Sequence, residues 1–335
     1  AEDRFIVASE PYGTVEDTTR LVRMDGDGGQ IVEITSTAAG TLEGMHRFTY
    51  GGAEAPLVEA DISDAGVTTR DIDRGDAPHF LLKEILEAPE SFRKTIRGRV
   101  HERDGQLVAD LDDGVLPAAI VSDLAAGKIR RIRIIGQGTA AVAGSSMVGL
   151  LTSLTGDAID VDALTATEFS GFGLTADMSD TLVVAVSQSG TTTDTNRTVD
   201  LARSRGARVI AIVNRRNSDL AMRADGVLYT SDGRDIEMSV ASTKAFYAQV
   251  AAGILLSCAV SAAAGLGNSQ TRHRVLAALR EIPAAMRKVI DQRPAIAAAA
   301  QRFAPAKRYW AVVGNGSNAV AAHEVRIKLS ELCYK

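Results

Sequence analysis

The chain has 335 residues, 42 acidic and 37 basic, for a formal net charge of −5, with 45% apolar and 24% charged residues. That composition excludes a disordered chain, and the near-cancelling charge argues against a binder that tracks nucleic-acid phosphates. Two cysteines, Cys258 and Cys333, can form neither a disulfide framework nor a four-thiolate zinc site, so a reducing, cytoplasmic setting is expected. The length allows two domains.

The opening AEDRFIVASE has no basic region followed by an apolar stretch, so no secretory signal is expected. FIVAS, RLVRM and IVEIT read as short strands, with DGDGGQ as a turn before the last. Residues 36–78 are polar, with Gly and Asp clusters, and read as a connector. Residues 79–87 place apolar side chains at helical spacing. Pro89 is expected to end that helix, and a second one to cover 90–97.

From Lys128 onward apolar runs recur at 132–135, 158–161, 182–186, 209–213 and 227–229, separated by helix-like segments. This is the pattern of a parallel sheet with helices on its faces, an α/β fold. Residues 245–271 contain no charge, but they are rich in Ala, Gly and Ser and include Gln249. A buried helix, packed on other helices or on a second copy of the chain, is expected rather than a membrane span. Because a helix apolar all round must be buried on several sides, a homodimer is expected. Residues 272–304 read as helical throughout, and 309–313 as a strand.

Residues 136–143, GQGTAAVA, align without gaps to 314–321, GNGSNAVA, each after a β-rich run and before a helix. Two copies of one α/β unit are expected. The second stops at Lys335 within its first helix, so the chain is expected to be part of a longer protein.

Chemistry concentrates in SQSGTTTDT, residues 187–195, where six of nine residues carry hydroxyls and Gly190 permits a tight backbone approach. After a strand and before a helix, hydroxyls and unpaired N–H groups make an anion site favoured by the helix dipole. No GK[ST] follows, so this is not a nucleotide-binding P-loop, and Ala141 stands where a dinucleotide fingerprint needs its third glycine. A second hydroxyl cluster, VASTK at 240–244, reads by itself as a helix N-cap at Ser242 or Thr243. The five histidines, His46, His79, His101, His273 and His323, are scattered, and Ile327 occupies the place of the second histidine after His323-Glu324. Near the C-terminal end Glu324, Lys328 and Glu331 fall at i, i+4 and i+7, on one helical face. By themselves they read as a surface salt-bridge ladder.

SQSGTTTDT followed by SVASTKAF resembles the first of two sugar isomerase (SIS) domains in the glutamine–fructose-6-phosphate aminotransferase family. HFLLKEILEAPESFRKTIRGRV resembles that family's segment joining its glutaminase and isomerase halves. Residues 5–34 resemble the end of its glutaminase domain, and HEVRIKLSELCYK the helix opening its second SIS domain. The resemblance implies a flavodoxin-like, five-stranded parallel SIS domain with flanking helices. It further implies the start of a second SIS copy and the tail of a glutaminase-type domain. The implied boundaries are 1–37 glutaminase-like tail, 38–78 linker, 79–127 helical connector, 128–267 first SIS domain, 268–305 inter-domain helices and 306–335 second SIS domain. The implied reaction converts fructose 6-phosphate and an amino group from glutamine into glucosamine 6-phosphate, with no metal or organic cofactor and with neither nucleic acid nor membrane as partner.

By motif matching, Ser187, Gln188, Ser189 and Thr192 would hold the phosphate, Thr139 would also bind the substrate, and Val240 and Ser242 would lie near the sugar. Glu331 would move the proton between C1 and C2, with Lys328 beside the substrate hydroxyls. Three family elements are missing from these 335 residues: a cysteine nucleophile, a ring-opening histidine and a lysine that bonds the sugar. This stretch is therefore expected to be inactive alone. Ala140 stands where the family commonly has a phosphate-binding serine. Alternatives are another SIS ketose–aldose isomerase or deglycase, and a sugar-phosphate sensor without catalysis.

Overall fold

The computed structural model describes residues 4–8, 11–24, 29–69, 71–233 and 235–333, which divide into two compact units, Ala1–Gly75 and Asp76–Lys335. In the first unit β1 (Arg20–Val22) and β2 (Gln30–Ile34) are joined by β3 (Met45–Thr49) and β4 (Ile62–Asp64). β2 pairs antiparallel with β3 and β1 with β4. The stretch expected as a connector thus carries two strands that pair with strands before it. Its polarity is that of small two-stranded ladders, which leave one face in water. Residues 5–8 of the expected FIVAS strand form no ladder, and Ser9 and residues 25–28 of the expected turn lie outside the described residues.

The second unit opens with α1 (Phe80–Ile96), a β5–β6 hairpin (Val100–Arg103, Gln106–Ala109) and α2 (Ala118–Ala125). α1 is one helix where two are expected. Pro89 lies inside it and is buried, as are Ala88 and Phe92. Proline removes one intrahelical bond, and here packing against α7 and α8 (bounds below) offsets the loss.

The sheet follows: β7 (Arg131–Gly136), α3 (Thr139–Thr155), β8 (Asp160–Thr165), a short α4 (Ala166–Glu168), β9 (Thr181–Ser187), α5 (Thr193–Arg203), β10 (Arg208–Val213), α6 (Asp219–Arg223) and β11 (Gly226–Tyr229). All five strands are parallel, in the order β11-β10-β9-β7-β8. Numbered within the sheet this is 2-1-3-4-5, the flavodoxin-like winding. β8 starts two residues later than its apolar run. As an edge strand it alternates Asp160 and Asp162 with Val161 and Ala163, whereas central β9 is buried throughout.

Alternation divides the core. Ile132, Ile134, Val184, Val186, Ile210 and Ile212 pack under α2, α3 and α7, while Ile135, Val183, Ala185, Val209, Ala211 and Val213 pack with Phe169, Val199 and Leu220 on the other face. α7 (Lys244–Ala263) is the charge-free helix. It is long and apolar enough to cross a membrane, yet most of it is buried inside the fold, against α1, α2, α3 and α8. Fifteen of its twenty residues are buried within one chain, so packing on its neighbouring helices accounts for most of its apolar surface.

The expected continuous helix is two, α8 (Ser269–Asp291) and α9 (Arg293–Phe303), parted at Gln292 because Pro294 opens the second. Residues 309–313, expected as a strand, pair with no described strand, and Tyr309 and Val313 are exposed. α10 (Ser317–Cys333) then packs on α3 and α7 through Val320 and Ile327, against Val142 and Phe246. The internal repeat is visible in the backbone. Gly138 and Gly316 share φ of +53° and +52°, and each opens a helix.

Candidate functional site

β7 connects to β8 on one side, and β9 lies on its other side, so the crevice beyond the carboxyl ends of β7 and β9 is the topological switch point, where such sheets bind ligands. A cavity of about 200 Å³ lies there. The β7–α3 turn contributes Gln137 and Thr139, the β9–α5 turn Ser187, Gln188, Ser189 and Thr192, the segment before α7 Val240 and Ser242, α7 Gln249, and α10 Glu331. Of the residues singled out in the sequence, only Lys328 is not in the wall, and it stands 2.8 Å from the Glu331 carboxylate.

Local geometry explains the glycines. A Cβ on Gly136 would sit 2.9 Å from the backbone of Ala140, so only glycine lets α3 start so close to the end of β7. Gly190 has φ +69°, and a Cβ there would lie 2.1 Å from Ser218 Oγ. Its N–H donates to Ser187 Oγ at 3.0 Å, and its carbonyl accepts from Leu220 N and Asn196 Nδ2. Ser189 Oγ accepts from the Thr191 N–H and hydroxyl. Ser187 and Ser189 therefore accept within the loop and keep their own hydroxyl hydrogens for an incoming acceptor. Thr192 is the N-cap residue of α5, but its side chain makes no capping bond. The loop's hydroxyls are not spent on capping the helix, and the wall offers donors and two helix N-termini with no lysine or arginine. That is a setting for an anion held by N–H and O–H groups.

Before α7 the expected cap is corrected. Thr243, one of the two expected positions, is the N-cap residue, but neither its side chain nor that of Ser242 makes the capping bond. The Glu237 carboxylate does, accepting from Thr243 N at 2.6 Å and Ala245 N at 3.3 Å, and from the Ser242 hydroxyl at 2.7 Å. A carboxylate suits the positive end of the helix, although burial raises the Glu237 pKa. Glu84 on α1, itself buried, accepts from the Met238 and Ser239 N–H groups and the Ser239 hydroxyl. Two carboxylates thus fix the strap that carries Val240 and Ser242, and Val240 stands 98% exposed at its crest. A carboxylate cap drawn from outside the hydroxyl run carries little sequence signal beyond an acidic residue just upstream.

The α10 face is more than a surface ladder. Glu324 is buried, accepts the Thr139 hydroxyl at 3.1 Å and lies 3.4 Å from Lys328 Nζ. Burial raises its pKa against the opposing pull of Lys328 and Thr139. Lys328 thus bridges a buried carboxylate and the exposed Glu331 at the cavity wall. The residue that sequence reading passed over is Gln249, which lines the cavity. Among the described residues no three His, Cys, Asp or Glu side chains converge as a metal site would require.

Residues 127–259 match the SIS domain family. Over nearly its whole length the chain is similar to enzymes named glutamine–fructose-6-phosphate aminotransferase (isomerizing). It is 32% identical to that of Symbiobacterium thermophilum over 99% of this chain and 51% of the relative. It is 33% identical to that of Corynebacterium glutamicum over 99% of this chain and 49% of the relative. The chain therefore spans about half the length of these relatives. Among solved structures, the C-terminal domain of glucosamine-fructose-6-phosphate aminotransferase from Francisella tularensis superposes with a TM-score of 0.66 at 25% identity, covering 78% of this chain and 69% of that one.

Proposed function

We propose that the chain is the isomerase-side part of a glutamine-dependent fructose-6-phosphate aminotransferase, and that the cavity at the switch point binds fructose 6-phosphate. The observation that carries this reading is the convergence on one cavity of the hydroxyl-rich β9–α5 turn, the β7–α3 turn, Ser242 and Glu331. In this reading the phosphate accepts from Ser187, Gln188, Ser189 and Thr192, and Thr139, Val240 and Ser242 flank the sugar. Glu331 carries the proton between C1 and C2. Enolisation of a sugar needs a base beside an acidic C–H, and a carboxylate supplies it. Lys328, 2.8 Å from Glu331, holds that carboxylate toward the cavity and faces the substrate hydroxyls. The amino group comes from glutamine through a glutaminase-type domain, whose end residues 1–37 resemble.

The experiment is isotope exchange. Glu331→Gln in the complete protein should slow exchange of deuterium at the sugar C1 by about a hundred- to ten-thousand-fold, with fructose 6-phosphate affinity within a few-fold of wild type. A side chain serving only a surface ion pair would cost about 0–1 kcal/mol of stability and leave turnover intact. Exchange at the wild-type rate would remove Glu331 from the mechanism.

A further inference from the structure

α7 carries three uncharged, hydrogen-bonding side chains in its buried length, and they are treated differently. Ser257 and Ser261 donate to carbonyls of their own helix, Gly253 O at 2.7 Å and Cys258 O at 3.1 Å. Gln249 does neither. It is 3% exposed, its Oε1 is buried with no hydrogen-bond partner, and its side chain lines the cavity. Its neighbours Ala248, Ala251, Ala252 and Leu255 are apolar and buried. An apolar side chain of similar volume would pack there without leaving a polar atom unpaired, and an unpaired buried acceptor destabilises the empty protein.

We infer that Gln249 is a specificity-determining residue that accepts a hydrogen bond from a hydroxyl of the bound phosphosugar. This rests on the reading of the cavity as a phosphosugar site. The β9–α5 turn presents hydroxyl and N–H donors, which suit a phosphate. A carboxamide oxygen facing a phosphate would meet acceptor with acceptor, whereas a sugar hydroxyl has a proton to give. Gln249 on α7 and Glu331 on α10 bring acceptors into the cavity from helices other than the two that open at its hydroxyl-bearing turns. In the sequence Gln249 reads only as a polar break in a helix expected to be buried, with nothing to mark its oxygen as unpaired.

The test is titration calorimetry of the wild-type protein and of Gln249→Leu and Gln249→Met, with fructose 6-phosphate and with inorganic phosphate. Loss of one neutral hydrogen bond predicts fructose 6-phosphate binding about three- to tenfold weaker in both variants, with inorganic phosphate affinity unchanged. The ligand-free variants should unfold at the same temperature as wild type or higher, because the unpaired acceptor is gone. A purely structural role predicts the reverse, lower melting with unchanged discrimination between the two ligands, and that outcome overturns the inference. The two failures separate cleanly. If the wild-type protein does not bind fructose 6-phosphate, the phosphosugar reading falls and this inference with it. If it binds and both variants bind equally well, only the role of Gln249 falls.

Discussion

Replacing Gly190 by alanine should unfold the hydroxyl-rich β9–α5 turn from within. The residue has φ +69°, and a left-handed conformation costs an L-residue roughly 1–2 kcal/mol. The new methyl would lie 2.1 Å from Ser218 Oγ, 2.5 Å from Ser218 Cβ and 2.9 Å from Val213 Cγ2. Ser218 is fully buried, so it has nowhere to retreat, and overpacking of that kind costs about 1–3 kcal/mol more. The turn itself is pinned by the two bonds to the Gly190 carbonyl, so it cannot swing aside without losing them. The sum is about 2–5 kcal/mol, a fall in melting temperature on the order of 4–20 °C for a domain of this size. Gly265, following α7, provides the control. Its φ is +66° but a Cβ there would meet nothing within 4 Å, so Gly265→Ala should show the backbone cost alone. Thermal unfolding of both variants by circular dichroism isolates the steric part as their difference. Equal melting temperatures would refute the claim that packing against Ser218 demands glycine.

Two further outcomes follow from the site. Ser189→Ala combined with Thr192→Ala should weaken fructose 6-phosphate binding in titration calorimetry, by roughly twofold to tenfold per lost neutral hydrogen bond; wild-type affinity would place the phosphate elsewhere. Burial raises the Glu324 pKa above the ordinary glutamate value of 4.5, so the folded state holds that proton more tightly than the unfolded chain. Its contribution to stability is complete below 4.5 and is lost as pH rises through the raised value. Across pH 4 to 7.5 (a range set about the glutamate value), the melting temperature of wild type relative to Glu324→Gln should therefore decline; a flat or rising difference would refute the assignment.

The sheet was legible because its central strands are buried on both faces and read as apolar runs, and the hydroxyl-rich turn because hydroxyl density survives in any register. Legibility failed where the deciding partner lies far away in sequence. Pro89 reads as a helix end unless α7 and α8 are known to pack beside it. The edge strand β8 hides behind Asp160 and Asp162, of which Asp160 pairs with Arg133 on the neighbouring strand. The run at 309–313 has strand composition, but a strand needs a neighbour to take its N–H and C=O groups. Ser242 and Thr243 have the chemistry of helix caps, yet a carboxylate at Glu237 outcompetes them, because charge-assisted bonds to N–H groups are stronger than neutral ones. Gln249 reads in the sequence only as a polar break in an apolar run, since nothing there shows that its oxygen is left unpaired.

The cavity is not a property of residues 127–259 alone. The strap that brings Val240 and Ser242 to its wall is held from α1, outside the family match, through Glu84 and the Met238 and Ser239 N–H groups. One turn further along α1, Glu87 accepts from Lys244 Nζ at 2.8 Å, and Lys83 lies 3.1 Å from the same carboxyl group. Burial works against the Glu87 charge, yet Lys244 and Lys83 together hold its pKa below the usual range. Lys244 is the first residue of α7 and is buried, so without Glu87 its charge would be left uncompensated in the interior, a loss of about 3–5 kcal/mol for such pairs. Both ends of the strap, at 238–239 and at 244, are therefore clamped by carboxylates three residues apart on α1, Glu84 and Glu87, which share one helical face. A displacement of α1 relative to the sheet must move Ser242 with it, and the helix that precedes the matched residues is in that physical sense part of the cavity wall.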